Sequence, residues 1–169
     1  LGPEATKSRF LSSEARSSRW IHVATHAMRL GDDDGIGLAF SASPMGRTEW
    51  LTTREVETFK WSSDVVVLSA CETAGGSDVR SEGIESLGRA FLRSGVRSVI
   101  VTQWPVDDST ASIFMSYFYE ELGRVEMAPS AALRAAQVRL MSEPRFSEPY
   151  FWAGYTILGD WRRNSPGDD

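Results

Sequence analysis

The fold is decided by one stretch of the sequence, Val65-Val66-Val67-Leu68-Ser69-Ala70-Cys71. An unbroken run of β-branched and other apolar residues is typical of a strand buried on both faces, as in a parallel sheet covered by helices. A second run, Trp20-Ile21-His22-Val23-Ala24-Thr25, ends in the same way at His26. Ligand sites in such sheets lie outside the carboxyl ends of the strands, so we expect Cys71 and His26 at the same rim.

The residues after Cys71 predict a parallel connection. Four apolar residues recur at helical spacing: Ile84, Leu87, Phe91 and Leu92. They predict a helix over 83–94, with Gly95 just past its C-terminus. Residues 96–102 are again a β-branched run, and strand, helix, strand is the right-handed crossover that pairs its strands in parallel. The sheet is therefore expected to be at least partly parallel.

Capping signals indicate further helices. Thr52, with Glu55 three residues later, has the form of a capping box. Asp107 and its neighbours offer N-caps to a helix that stops at Gly123. Another helix is predicted over 130–141, and the aromatic run 149–158 is typical of a final strand.

The bulk composition describes one globular domain. The chain has 169 residues, of which 41% are hydrophobic and 24% charged, and no Pro/Ser/Gly-rich linker divides it. We expect residues 1–163 to form the domain and residues 164–169 to form a flexible tail. The net charge of −5 argues against a nucleic-acid partner.

The single cysteine helps to predict the cellular compartment and the cofactors. One thiol cannot close an intramolecular disulfide, which favours a reducing compartment, the cytoplasm. No stretch has the length and apolarity of a membrane span. We expect no metal, because His22 and His26 are four residues apart in a strand and no further ligand completes a set. No other cofactor is expected.

Cys71 and His26 are a candidate nucleophile and base. The alternative for Cys71 is a small buried hydrophobe at a strand end. Its context favours the rim, because Glu72-Thr73-Ala74-Gly75-Gly76 follows as a polar, glycine-bearing turn. His22, in mid-strand between Ile21 and Val23, is interpreted as a core histidine that is hydrogen-bonded to a neighbour.

Five blocks of sequence, in this order, carry a family resemblance: His22-Val23-Ala24-Thr25-His26, Val66-Val67-Leu68-Ser69-Ala70-Cys71-Glu72-Thr73, Ser81-Glu82-Gly83-Ile84-Glu85-Ser86-Leu87-Gly88-Arg89-Ala90-Phe91, Thr102-Gln103-Trp104-Pro105-Val106-Asp107-Asp108 and Tyr150-Phe151-Trp152-Ala153. Together they resemble a CHAT domain, a caspase-like cysteine peptidase domain related to separase, caspases and other clan CD enzymes. The resemblance covers nearly the whole chain.

The resemblance implies a caspase-like three-layer sandwich, an α/β fold with a mostly parallel central sheet flanked by helices. It implies that His26 is the base and Cys71 the nucleophile of an acyl transfer through a thioester. The backbone N–H groups of Ala27 and Cys71 would form the oxyanion hole, although the family usually has glycine where this chain has Ala27. The start of the chain matches a segment already inside the family's domain, so we expect the first strand and helix to be missing from it and to come from a second chain or another piece.

The resemblance also suggests a substrate, a protein or peptide. Separase-like relatives accept a basic residue before the scissile bond, so Asp107 and Asp108, shortly after Trp104, are candidate pocket residues, and Asp108 is expected to select Arg or Lys. Asp107 has the alternative role of a helix cap. Trp104 is a further candidate substrate contact, and Glu72 is a candidate loop or pocket residue.

Two other functions stay open at this point. One is a thiol hydrolase that does not act on proteins, and the other is a catalytically silent interaction domain. CHAT domains often belong to larger proteins whose other domains control them, which implies a regulated protease, in a bacterial defence or cell-death pathway.

Overall fold

The structure, a computed structural model, describes residues 4–31, 35–41, 46–72, 80–125 and 127–160, with the backbone alone for 70–72 and 80–82. Its strands are β1 (Trp20–Arg29), β2 (Ile36–Phe40), β3 (Glu49–Thr52), β4 (Val65–Glu72), β5 (Ser98–Thr102) and β6 (Tyr155–Gly159). Its α-helices are α1 (Lys7–Phe10), α2 (Ser13–Arg16), α3 (Thr53–Glu57), α4 (Arg80–Arg93), α5 (Asp108–Leu122), α6 (Pro129–Met141) and α7 (Pro149–Trp152), and a 3₁₀ turn covers Pro144–Phe146. Within these residues no helix is long and apolar enough to cross a bilayer.

The strands form one mixed sheet in the order β3-β2-β1-β4-β5-β6. Only β1–β4 and β4–β5 are parallel; β1–β2, β2–β3 and β5–β6 are antiparallel. The expectation of a mostly parallel sheet was therefore wrong. Short connections join β1 to β2 and β2 to β3, and strands joined so directly pair antiparallel. The parallel pairs have longer crossovers: α4 joins β4 to β5, and the segment with β2, β3 and α3 joins β1 to β4.

The centre of the sheet is buried on both faces, as the apolar run in β4 predicted. Val66 and Leu68 pack into one core, where α4 contributes the fully buried Phe91. Val65 and Val67 pack into a second core, under Phe114 and Phe118 of α5 and apolar residues of α6. The structure is thus a mixed α/β fold with helices on both sides of a six-stranded sheet.

β1 differs from β4 because only one of its faces is covered. Ile21, Val23 and Ala27 belong to the α4-side core. His22, Ala24 and His26, at alternate positions, are exposed on the other face. The α5-side core takes buried residues from β4, β5 and β6, but from β1 only the half-buried Trp20 packs against it. This uncovered face positions the candidate site.

Most predicted helices are confirmed. The helix predicted over 83–94 is α4, and Gly95 follows it with φ +111°. A Cβ at Gly95 would stand 2.4 Å from the Trp61 carbonyl oxygen, so no other residue fits there. Thr52 and Glu55 form the predicted capping box of α3, and α5 begins after Asp107 and ends at Gly123.

The single strand predicted over 149–158 was wrong. Residues Pro149–Trp152 form the short helix α7, and the strand begins at Tyr155. Pro149 occupies the first turn of the helix, where proline is favoured because its missing N–H has no intrahelical partner. Between helix and strand, at Gly154, the chain passes so close to Trp104 that a Cβ would stand 2.9 Å from the indole, so glycine suits this position. The predicted tail 164–169 lies outside the described residues.

Candidate functional site

The parallel register of β1 and β4 brings the two sequence candidates together. The pairing runs from Trp20 opposite Val65 to Ala27 opposite Glu72, and within it His26 stands opposite Cys71. Neighbouring strands lie about 4.8 Å apart, so the two backbones are within reach of a shared reaction. Both positions are near the carboxyl ends of their strands, at the rim where a ligand site is expected. The side chains of Cys71 and Glu72 lie outside the described part of the structure.

A cavity of about 720 Å³ opens on the uncovered face of β1. The sheet contributes His22, Ala24, Thr25 and His26 of β1, Ser69 of β4, Thr102 of β5 and Tyr155 of β6. The opposite wall is one face of α5, with Asp108, Ala111, Ser112, Met115, Ser116 and Tyr119, and Val106 lies just before it. Apart from Asp108 and the two histidines, the described lining consists of hydroxyl, thioether and small apolar side chains.

His26 is exposed at the rim end of this cavity. Its strand is fixed on one side by the eight-residue pairing with β4 and on the other by Thr25, whose hydroxyl donates to the Ala39 carbonyl oxygen at 2.7 Å. The ladder between β1 and β2 begins only at Ala27, so the Thr25 hydroxyl bond ties the strands together just before it. An imidazole on a fixed strand end, with solvent access, can take up or give a proton.

The inner end of the cavity is also polar. His22 Nε2 lies 3.0 Å from the Ser69 hydroxyl oxygen, and the His22 ring lies 5.7 Å from the ring of Tyr119. Desolvation by the surrounding protein lowers the pKa of His22, which favours the neutral imidazole. The Tyr119 hydroxyl is buried without a hydrogen-bond partner among the described residues, and burial raises its pKa.

Asp107 and Asp108 occupy different places although they are adjacent. Asp107 caps α5: its carboxylate accepts from the Thr110 backbone N–H at 3.0 Å and from the hydroxyls of Ser109 and Thr110. These hydrogen bonds, from Ser109 first, lower the Asp107 pKa to about 2. Asp108 makes no such bond in the described structure and lines the cavity together with His26. Of the two acids, Asp108 is therefore the one placed to meet a bound group.

The remaining sequence candidates lie away from the cavity lining. Ala27 is 1% exposed and packs into the α4-side core, so its methyl group points away from the face that carries His26. Trp104 donates from Nε1 to the Tyr150 carbonyl oxygen at 2.8 Å and packs against Gly154; it is not among the described residues that line the cavity. Glu72 pairs through its backbone with Ala27.

Sequence reasoning missed the inner part of the site. His22 was assigned to the core, but it is exposed and faces the cavity, although it has the hydrogen-bonded neighbour that was expected. The alternation of side chains along β1 could have indicated this, because His22, Ala24 and His26 lie on one face of any strand. Ser69 lies on the same face of the sheet, opposite Ala24 in the pairing of β1 with β4. Tyr119 could not be found without knowing that α5 crosses this face.

The arrangement offers a base, a thiol position, and a groove with one carboxylate. Within the described residues no group of three or more His, Cys, Asp or Glu side chains could hold a metal ion. The chemistry available to these residues is acid–base and nucleophilic.

Fold and site together define a mixed α/β domain with a histidine and a cysteine paired at adjacent parallel strand ends. The family model of the CHAT domain matches residues 1–160, and the chain belongs to that family. It is 35% identical over 146 residues to tetratricopeptide repeat protein 28 of Mus musculus, and 33% identical over 146 residues to the Homo sapiens protein of that name. Each match covers 86% of this chain, which spans only 6% of the length of either relative.

Proposed function

We propose that this domain is a cysteine endopeptidase of the caspase-like type, with Cys71 as nucleophile and His26 as general acid–base. The observation that carries the proposal is the register of β1 and β4, which sets His26 opposite Cys71 beside a cavity of about 720 Å³. Membership of the CHAT family supports it, because the resemblance in sequence implies that His26 and Cys71 are the base and the nucleophile.

The reaction has two steps. The Cys71 thiolate attacks the scissile carbonyl carbon, the C–N bond breaks, and protonated His26 gives its proton to the leaving amine. Water, deprotonated by His26, then attacks the thioester and releases the carboxylic acid together with the thiol. Backbone N–H groups of Ala27 and Cys71 stabilise the oxyanion in both steps. The burial of the Ala27 methyl group on the opposite face supports this assignment, because the side chain leaves the cavity free.

Asp108 gives the proposed enzyme its preference for a basic residue before the scissile bond. It is the one carboxylate among the described residues that line the cavity, and it shares that cavity with His26. Asp107 is the N-cap of α5 and takes no part in substrate binding. Other domains of a larger protein would control access to the site; the small share of the relatives' length that this chain spans is consistent with such control.

A second candidate function is a non-catalytic interaction domain. It is favoured by the similarity to proteins that are named for tetratricopeptide repeats, since such repeats stack into extended binding surfaces. Labelling of Cys71 by a substrate-like trap separates the two functions.

The test uses an acyloxymethyl ketone that carries an arginine peptide, with intact-mass detection. Because Cys71 is the only cysteine, one mass addition reports on one site. We expect the wild-type protein to be labelled and His26→Asn to be labelled at least roughly 100-fold more slowly, the scale of general acid–base catalysis. Arg29→Asn, on the same strand and away from the cavity lining, is the matched control and should react like the wild type.

Iodoacetamide alkylation of each variant checks that the thiol is accessible. If iodoacetamide modifies Cys71 but the ketone does not, or if His26→Asn reacts with the ketone as fast as the wild type, the peptidase proposal is overturned. The first of those outcomes would leave the interaction domain as the better account.

A further inference from the structure

The hydroxyl group of Thr25 joins β1 to β2 at a point that the backbone ladder between the two strands does not reach. Thr25 Oγ1 donates to the carbonyl oxygen of the buried Ala39 at 2.7 Å. The ladder ends with Ala27 opposite Leu38. Between the hydroxyl bond and the end of the ladder lies His26, the proposed base. The position of His26 therefore depends on how β1 separates from β2.

The register of the ladder shows which backbone bond the Thr25 hydroxyl replaces. One step beyond the last pair, Ala39 stands opposite His26. The Leu30 N–H donates to the Gly35 carbonyl oxygen at 2.9 Å, and alternate residues of a strand direct their backbone groups to the same neighbour. The His26 N–H is therefore directed toward β2, where a longer ladder would give it the Ala39 carbonyl oxygen. In the structure that oxygen accepts from the Thr25 hydroxyl, and the ladder ends one pair short of His26.

The other edge of β1 holds His26 toward the nucleophile. The parallel pairing with β4 sets His26 opposite Cys71. The strand end thus lies between two neighbours, and a further backbone pair with β2 would draw it away from β4. Threonine suits a fixed spacing between β1 and β2, because its β-branched side chain has few χ1 rotamers. Its hydroxyl bond holds the two strands together without that further pair.

We propose that Thr25 is a positioning residue for the reaction: its hydroxyl bond to β2 fixes the end of β1 and so aligns the His26 imidazole with Cys71. This inference rests on the proposed peptidase function and deepens it. Thr25 acts through His26 and touches no reacting atom. A shift of a catalytic group by about 1 Å can cost on the order of 100-fold in rate, so one hydrogen bond at this place has a large effect on turnover.

Thr25→Val tests this role, because valine keeps the shape of threonine and lacks the hydroxyl. Cleavage of a fluorogenic peptide that has arginine before the scissile bond gives kcat and KM separately. We expect kcat to fall roughly 10- to 100-fold, because the imidazole is misaligned, while KM stays within about twofold of the wild-type value. Thr25→Ala removes the same hydroxyl and should lower kcat in the same way.

Two further variants serve as controls. Thr25→Ser keeps the hydroxyl donor and should return kcat to within about threefold of the wild-type value. Thr156→Val makes the same change on β6, away from the described residues that line the cavity, and should behave like the wild type. Thermal unfolding of each variant shows that it is folded at the assay temperature.

The outcomes separate the inference from the proposed function. If Thr25→Val and Thr25→Ala keep the wild-type kcat, or if Thr25→Ser loses as much kcat as they do, the inference is overturned while the peptidase function stands. A rise in KM with kcat unchanged would show that Thr25 contacts the substrate, and would overturn the positioning role as well. If the wild-type protein cleaves no peptide, the proposed function itself fails, and the inference fails with it.

Discussion

The two faces of β1 show how one strand can serve both the core and the site. On the α4 side, Ile21, Val23 and Ala27 are buried in a continuous apolar core. On the α5 side, His22, Ala24 and His26 are exposed along a polar groove. The difference arises because α5 and α6 pack closely over β4, β5 and β6, whereas β1 meets α5 through the Tyr119 ring, which lies against Trp20 and His22.

The candidate site is therefore a part of the sheet that the helices cover incompletely. The groove between α5 and β1 exists because no described helix fills it, and the side chains that His22, Ala24 and His26 present to it are exposed. Substitutions on the core face should therefore change stability, whereas substitutions on the groove face should change binding or reaction. Two pairs of substitutions test this division, and a third pair concerns the helix that bounds the groove.

The largest effect is expected at the centre of the α4-side core. Phe91 is fully buried, and its ring meets the Trp61 ring edge-on at 4.9 Å. Phe91→Ala should lower the free energy of unfolding by about 4 kcal/mol, because the lost transfer free energy is added to the cost of the cavity. Urea denaturation measures this loss.

Met115→Ala is the matched truncation on the groove side. Met115 is buried but also lines the cavity, so its removal enlarges an existing space and should cost about 2 kcal/mol, the low end of the range for core truncation. Equal losses in the two variants would contradict the distinction between a closed core and an open groove.

The sharpest test adds the same two methyl groups to opposite faces of one strand. Ala27→Val overfills the α4-side core and should cost about 2 kcal/mol. Ala24→Val stands on the exposed face, where a β-branched residue suits a strand, and should change stability by less than about 0.5 kcal/mol. Thermal and urea unfolding of both variants decide the point. A loss at Ala24 as large as at Ala27 would mean that the groove face is part of the core.

The smallest effect concerns the helix that bounds the groove. Asp107→Ala removes the cap of α5 and should cost about 1 kcal/mol at pH 6, as measured by urea unfolding. The folded-state pKa of Asp107, about 2, lies below its ordinary value of 3.8, so the carboxylate stabilises the fold above pH 3.8 and this contribution is lost as the pH falls toward 2. The stability difference between wild type and Asp107→Ala should therefore shrink on acidification.

Asp108→Ala is the control for that measurement. Asp108 begins the helix but caps nothing, so the expected loss is only a few tenths of a kcal/mol, from its interaction with the helix dipole. An equal loss of stability in Asp108→Ala and Asp107→Ala would show that Asp107 is not the N-cap of α5.

Local signals in the sequence were sufficient for the parts of the fold that depend on neighbouring residues. The apolar run to Cys71, the crossover through α4 and the capping box at Thr52 were all predicted, because period and caps are local properties. The position of both strand ends at one rim was also predicted, since parallel strands deliver their carboxyl ends to the same edge of a sheet. The structure adds that β1 and β4 are direct neighbours.

The parts that failed depend on contacts between distant residues. The aromatic run 149–158 has the composition of a strand, but the structure divides it into α7 and β6, with Gly154 between them packed against Trp104. His22 lies in an apolar run, and only the lateral extent of α5 and α6 leaves its face open. The sequence of β1 alone does not predict how much of that strand α5 and α6 cover.

The register of β1 against β4 also determines when His26 and Cys71 come together during folding. His26 and Cys71 meet only when two strands that are separated by β2, β3 and α3 have paired, and contacts between segments far apart in sequence form late and slowly. A chain still emerging from the ribosome, or one that has opened this pair of strands, holds a solitary thiol and a solitary imidazole. The reactivity of Cys71 toward a substrate-like trap would therefore report when β1 and β4 pair during folding.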